Sequence, residues 1–189
     1  MKIGVLALQG SFKEHIEMLR KCNVDAVSVK SPEDLRNVNG LIIPGGESTA
    51  IGNLMQISHL DSEIIKRNRL GMAIYGTCAG AIILSRSIVG SNQPRLDLLD
   101  ISIKRNDYGR QADSFEAELD IEKIGKFKGI FIRAPVIEDV RNGVEVLSKF
   151  NDKPVLIQKD NILASTFHPE LANDKRMHEY FVEIVKNNL

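Results

Sequence analysis

Apolar residues fall into short unbroken runs in the first half of the chain, separated by stretches of helical period. Residues 2–8 (Lys2-Ile3-Gly4-Val5-Leu6-Ala7-Leu8) are apolar on both faces, as in a strand of a covered parallel sheet. Residues 24–29 and Gly40-Leu41-Ile42-Ile43-Pro44 predict a second and a third strand, and Gly71-Met72-Ala73-Ile74-Tyr75-Gly76 a fourth. Between them, residues 12–22 put Phe12, Ile16, Leu19 and Cys22 on one helical face. Gln9-Gly10-Ser11 is the turn before this helix, with Ser11 as N-cap and Glu14 completing a capping box. Ser31-Pro32-Glu33-Asp34 opens a short helix with Pro32 at its first position. Residues 49–67 predict another helix, and a fourth runs from the end of strand four to about Ser87. This βαβαβαβα order predicts an α/β fold: an open, mainly parallel sheet with helices on both faces and right-handed crossovers.

The second half reads differently. From Ile101 to Ile121 the chain is polar and alternating, with turn residues at Asn106-Asp107-Tyr108-Gly109. Short strands are predicted at 127–133, 144–150, 154–159 and 162–167, as an antiparallel extension of the sheet. Residues 174–188 form a terminal helix with Met177, Tyr180, Phe181, Ile184 and Val185 inward, capped by Asn173 or Asp174. There is no internal repeat or linker, so residues 1–189 are expected to form one domain.

Composition narrows the function classes. Lys+Arg and Asp+Glu balance at 25 each, which gives no electrostatic footprint for nucleic acid or an anionic membrane. No apolar run approaches a membrane span, and the apolar N-terminus is too short for a signal peptide. Two cysteines, Cys22 and Cys78, fit a reducing cytoplasm rather than a disulfide framework. No metal-ligand spacing and no phosphate-loop motif appears, so neither metal nor cofactor is expected.

The candidate chemistry centres on Gly76-Thr77-Cys78-Ala79-Gly80. A strand, a tight turn and a helix with cysteine at the apex have the shape of a nucleophile elbow. The glycines permit the bend, and the following helix presents free N–H groups near the thiol. Ala79 N–H is placed to donate to a developing oxyanion. A lone cysteine among apolar residues is ordinarily core packing, which is the reading for Cys22. Cys78 gains its meaning from Phe167-His168-Pro169-Glu170. His168 closes a predicted strand and can accept the thiol proton, and Glu170 can fix its tautomer. Gly45-Gly46 follows strand three and offers the N–H of Gly46 as a second oxyanion donor. The other histidines, His15, His59 and His178, are expected at helical surface positions. Cysteine, histidine and glutamate together indicate acyl transfer through a thioester, leaving peptidase, esterase and amidase open.

Pro44-Gly45-Gly46-Glu47-Ser48, Gly76-Thr77-Cys78-Ala79-Gly80 and Phe167-His168-Pro169-Glu170 resemble the three motifs of class I, triad-type glutamine amidotransferases. Further segments are similar to one subfamily, the glutaminase subunits of pyridoxal 5′-phosphate synthase (PdxT/SNO). These are Leu8-Gln9-Gly10, Phe131-Ile132-Arg133-Ala134-Pro135, and Arg105-Asn106-x-x-Gly109-Arg110-Gln111-x-Asp113-Ser114-Phe115-Glu116. The resemblance covers nearly the whole chain and implies a three-layer, flavodoxin-like fold. It implies hydrolysis of L-glutamine to L-glutamate and ammonia, with Cys78 as nucleophile, His168 as proton shuttle and Glu170 orienting His168. It further implies that Gly46, Glu47, Ser48, Arg105, Ile132 and Arg133 hold glutamine. Arg105 or Arg133 would take the α-carboxylate, and Glu47 the α-amino group. The implied partner is a (β/α)8-barrel synthase subunit that receives the ammonia and switches the glutaminase on. The Gln9-Gly10 turn is a candidate for sensing that docking. The alternatives are a glutaminase of another synthase, such as that of imidazole glycerol phosphate synthase, or a cysteine peptidase-like hydrolase.

Overall fold

The computed structural model describes residues 1–105 and 114–189. Five parallel strands make the centre of the main sheet: β1 (Lys2–Leu6), β2 (Asp25–Val29), β3 (Gly40–Ile43), β4 (Ala73–Thr77) and β12 (Ile162–Ser165). Two antiparallel strands, β10 (Glu145–Phe150) and β11 (Lys153–Lys159), extend it beside β12, giving the order β10-β11-β12-β4-β3-β1-β2. The extension is therefore narrower than expected: the strand that leads to His168 pairs parallel with β4 and belongs to the central set. Two smaller sheets complete the second half. One joins β5 (Ser85–Ile88), β6 (Leu99–Lys104) and β9 (Val136–Val140); the other is the hairpin of β7 (Ser114–Ile121) and β8 (Gly125–Ile132). The sequence pattern does not mark strand β9. The predicted turn at 106–109, and Arg110, Gln111 and Asp113, lie outside the described residues.

Alternation along the central strands divides the core into two. Ile3, Val5, Ile42, Tyr75 and Leu163 face one side, where α1 (Phe12–Lys21), α6 (Arg176–Lys186) and the β7–β8 hairpin bring Ile16, Leu19, Met177, Phe181, Phe127 and Phe131. Leu6, Leu41, Ile43, Ile74 and Ala164 face the other. There α2 (Pro32–Arg36), α3 (Ser48–Ile57), α4 (Leu60–Arg69) and α5 (Ala79–Leu84) bring Leu35, Ile51, Met55, Ile64 and Ile83. Each fully buried Leu, Ile or Phe contributes roughly 1.5–3 kcal/mol, so both layers are held by burial of the strand faces.

The helix boundaries differ from the expected ones for identifiable reasons. The helix predicted over 49–67 is two helices: Ser58 Oγ donates back to Leu54 and Met55 carbonyls, and His59 turns left-handed at φ 57. The helix predicted to about Ser87 stops at Leu84, where Ser85 becomes extended and starts β5. Ser31 and Asp34 form a capping box at α2, whereas the box expected at Ser11 and Glu14 does not form. Asp174 Oδ1 accepts the Arg176 amide at 3.0 Å, one position before the cap of α6. Among the described residues no helix is long and apolar enough to cross a membrane.

Candidate active site

In an open parallel sheet, ligands gather beyond the carboxyl ends of the strands, and the loops after β1, β3, β4 and β12 meet there. Cys78 sits between β4 and α5 at φ 50, ψ −104, a strained conformation for a residue with a side chain. Its neighbours explain how the bend fits. A Cβ on Gly80 would stand 2.0 Å from the Ile43 carbonyl oxygen, and one on Gly76 would stand 2.6 Å from Gly80. The Cys78 amide donates to the Ser165 carbonyl at 2.8 Å, tying the elbow to the end of β12.

From that end the chain runs through Thr166 and Phe167 to His168 and the 3₁₀ turn Pro169–Leu171. His168 Nδ1 lies 2.7 Å from Glu170 Oε1. The ring is 7% exposed and lines the same cleft as Cys78, whose Sγ lies 4.0 Å from the Ile132 carbonyl oxygen. Burial would lower the imidazole, but the hydrogen bonds and charges of Cys78 and Glu170 outweigh it and raise it to about 10. Burial would raise the Glu170 carboxyl. His15, His168 and Ser11 reverse this and hold it down to about 2. Cys78, His168 and Glu170 thus lie together, a thiol and an imidazole over a buried carboxylate.

A cleft of about 330 Å³ opens above it. Gly46, Glu47, Ser48, Arg105, Ile132 and Arg133 all line it, with Cys78, Ala79, His168 and Gln9. Ile82 and Pro135 also line it and were not singled out from the sequence. Gly45 lies against the His168 ring, where a Cβ would stand 2.4 Å from Cε1. Glu47 is less free than expected. Its carboxylate caps α3 by accepting the Thr49 and Ala50 amides, and it pairs with Arg105 at 3.1 Å. Gln93, buried and unnoticed in the sequence, accepts from Arg105 Nη1 at 2.9 Å and from Ser48 and Thr49. Arg133 adopts φ 41, a conformation that costs a non-glycine residue about 1 kcal/mol or more.

Two histidines expected at the surface are buried instead. His15 and His178 are each 0% exposed, and His15 stands beside Glu170. Ser11 also departs from its expected capping role: its hydroxyl donates to Glu170 Oε1 at 2.6 Å. Among the described residues no group of three His, Cys, Asp or Glu could hold a metal ion.

The profile of the SNO glutamine amidotransferase family matches residues 5–187. The chain belongs to that family. A relative from Pelotomaculum thermopropionicum, named pyridoxal 5′-phosphate synthase subunit PdxT, is 50% identical over 97% of this chain and 94% of its own. One of the same name from Thermus thermophilus is 49% identical over 96% of each chain. A crystal structure of a glutamine amidotransferase superposes with a TM-score of 0.95 at 48% identity, covering 97% of this chain and 98% of the other. As a member of the SNO glutamine amidotransferase family, the chain is an enzyme acting on the glutamine side-chain amide. Membership sets aside the peptidase and the imidazole glycerol phosphate synthase readings.

Proposed function

We propose that this chain is the glutaminase subunit of a pyridoxal 5′-phosphate synthase, with Cys78, His168 and Glu170 as its triad. The observation that carries the proposal is the 2.7 Å His168–Glu170 contact beside the Cys78 elbow, at the floor of a cleft lined by the glutamine-binding candidates. Near-full-length identity with relatives named as that subunit supports the choice of synthase.

The reaction follows from the site. Cys78 Sγ, as thiolate, attacks the side-chain amide carbon of L-glutamine, and the carbonyl electrons move onto oxygen. The N–H groups of Gly46 and Ala79 receive that charge. Ala79 is the first residue of α5, so its amide has no acceptor within the helix. His168, protonated, gives its proton to the departing nitrogen; the C–N bond breaks and ammonia leaves a thioester on Cys78. Water then attacks the thioester, His168 takes the water proton, and Cys78 departs as thiolate with L-glutamate released. Glu170 keeps His168 oriented through both steps.

Glutamine is held by Gly46, Glu47, Ser48, Arg105, Ile132 and Arg133, with an arginine on its α-carboxylate. The ammonia passes to a (β/α)8-barrel synthase subunit, in a reducing cytoplasm. The Gln9-Gly10 turn senses docking. Gln9 Oε1 accepts the Glu47 amide at 2.7 Å, and a Cβ on Gly10 would stand 1.9 Å from the Gly45 carbonyl oxygen. The two loops are therefore in direct contact, which supports that role.

The test is glutamate release from L-glutamine, with and without the barrel subunit and with Cys78→Ala as blank. Release that rises with the partner and vanishes in Cys78→Ala is the expected result. Strong release without a partner would refute the gated-subunit reading.

A further inference from the structure

The triad leaves one oxygen of its carboxylate unaccounted for. Glu170 Oε1 accepts from His168 and Ser11, while Oε2 is buried and has no ordinary hydrogen-bond partner among the described residues. His15 Nε2 faces it at 3.3 Å, and also lies 3.1 Å from Thr77 Oγ1. On the far side of the same ring, His15 Nδ1 lies 2.9 Å from His178 Nε2. Three elements converge here: α1 carries Ser11 at its start and His15 one turn later, α6 carries His178, and β4 carries Thr77 just before the elbow.

We propose that His15 is a positioning residue for catalysis, a neutral imidazole that donates its Nε2 proton to Glu170 and is held in that tautomer by His178. This rests on the triad reading above and extends it inward.

Thr77 Oγ1, 3.1 Å from His15 Nε2, can donate or accept and so leaves both tautomers open; it is the carboxylate that selects the direction of the chain. A carboxylate can only accept, so a bare Nε2 facing Oε2 would oppose two lone pairs. His15 therefore carries its proton on Nε2. Its bare Nδ1 accepts from His178 Nε2–H, which leaves His178 Nδ1 unprotonated. That atom is indeed buried without a partner among the described residues, and an unpaired nitrogen acceptor is tolerated there better than an unpaired N–H. Every proton in the chain then points toward Glu170. The charged and titratable groups facing His15 are Glu170 and, beyond it, His168; His178 from α6; and Glu14 on its own helix. Burial lowers His15, and His168 pushes it the same way, against Glu170 and Glu14. Burial also lowers His178, to about 3.

Neutrality is what makes the arrangement useful. A cation at position 15 would repel the His168 imidazolium and compete for the carboxylate. A neutral donor fixes the carboxylate plane and leaves its charge to His168. In this structure the Nε2 hydrogen bond is to Thr77 Oγ1 at 3.1 Å, with Oε2 beside it at 3.3 Å, and catalytic contacts realign and tighten when substrate binds.

The experiment uses the full chain assembled with its synthase partner, comparing wild type, His15→Leu, His15→Gln and Cys78→Ala. We expect His15→Leu to lower glutaminase kcat about thirtyfold, with glutamine KM within about twofold, and to move the pH midpoint of Cys78 alkylation upward by about one unit. His15→Gln, which keeps an N–H donor, regains most of the loss. An unchanged kcat and alkylation profile in His15→Leu, with Cys78→Ala inactive, would overturn the positioning role alone. Turnover persisting in Cys78→Ala would overturn the triad and this role with it. Should the leucine variant not fold, long-range ¹H–¹⁵N NMR of the wild-type histidine rings decides. A neutral Nε2–H tautomer for His15 between pH 6.5 and 9 supports the proposal, and an Nδ1–H tautomer or an imidazolium refutes it.

Discussion

Ser11 Oγ–H donates to Glu170 Oε1 at 2.6 Å, on the same oxygen that holds His168 Nδ1 at 2.7 Å. A serine at the start of α1 is therefore spent on a carboxylate across the chain and not on its own helix, which has no side-chain cap. Two donors on one oxygen keep Glu170 ionised and set the angle at which it meets the imidazole.

Removing that donor tests whether the hydroxyl serves the site or the helix. Ser11→Ala is expected to lower glutaminase kcat roughly tenfold, about 1.4 kcal/mol of transition-state stabilisation. The donor to a buried carboxylate is lost as well, so folding stability should fall by about 1.5–3 kcal/mol even though no helix cap is lost. Parallel kinetics and melting curves separate the two, and a large fall in melting temperature at unchanged kcat would reverse the assignment.

Gly45 bears on the same ring from the other side. A methyl group there would meet His168 Cε1 at 2.4 Å and must push the imidazole or the loop aside. Misplacing a catalytic group by about 1 Å costs on the order of a hundredfold in rate. Gly45→Ala is accordingly expected to lose at least that much kcat while remaining folded, measured as glutamate release beside a circular dichroism spectrum.

The central architecture was legible because strand burial writes itself into sequence. β1, β3 and β4 are continuous apolar runs, and the elbow and the Phe167–Glu170 motif are contiguous in sequence. Ser11, His15 and His178 depart from their expected places for one reason. Each satisfies a local rule, as a capping serine or a polar residue on a helix, and only packing α1 and α6 against the end of β4 reveals the partner. Gln93 lies in a segment without periodicity, so nothing local marked it. Strand β9 carries the mixed pattern Val136-Ile137-Glu138-Asp139-Val140, whose pairing with β6 no local rule announces.

The buried histidines give stability a defined pH window. Above about pH 6.5 both His15 and His178 are neutral whether folded or unfolded, and neither contributes a slope. As pH falls below 6.5, the unfolded chain takes up protons that the folded core refuses, since burial lowers both rings, His178 to about 3. Folding stability thus falls toward acid, by up to about 1.4 kcal/mol per pH unit for each ring. Glu170 is held below its ordinary value, so its contribution is lost only below about pH 4.5, and raised His168 loses its contribution only on the alkaline side, from about 6.5 toward 10. The interval from 6.5 to 4.5 therefore isolates the buried pair. Urea midpoints across it should drop in wild type, and by about half as much in His178→Gln. An equal drop would mean that His178 is protonated in the folded protein.

Arg105 and Glu47 set the remaining question, which is how the cleft holds the two ends of an amino acid. Glu47 accepts two amides at the start of α3 and pairs with Arg105, while Gln93 and Thr49 hold the Arg105 guanidinium from the other edge. Those amides lower the Glu47 carboxyl against the opposing effect of its burial, with Arg105 adding to them. So Glu47 is an anchored anion whose first task is to cap a helix and aim an arginine. Glu47→Gln is expected to keep much of the cap and lose the ion pair, whereas Glu47→Ala loses both, at a cost of about 1 kcal/mol in stability. Arg105→Ala removes the cation itself. It is expected to raise glutamine KM roughly tenfold or more with kcat less affected, because a carboxylate contact made in both ground and transition states is uniform binding. An unchanged KM in Arg105→Ala would transfer the carboxylate to Arg133, and the corresponding Arg133→Ala variant would then carry the KM effect.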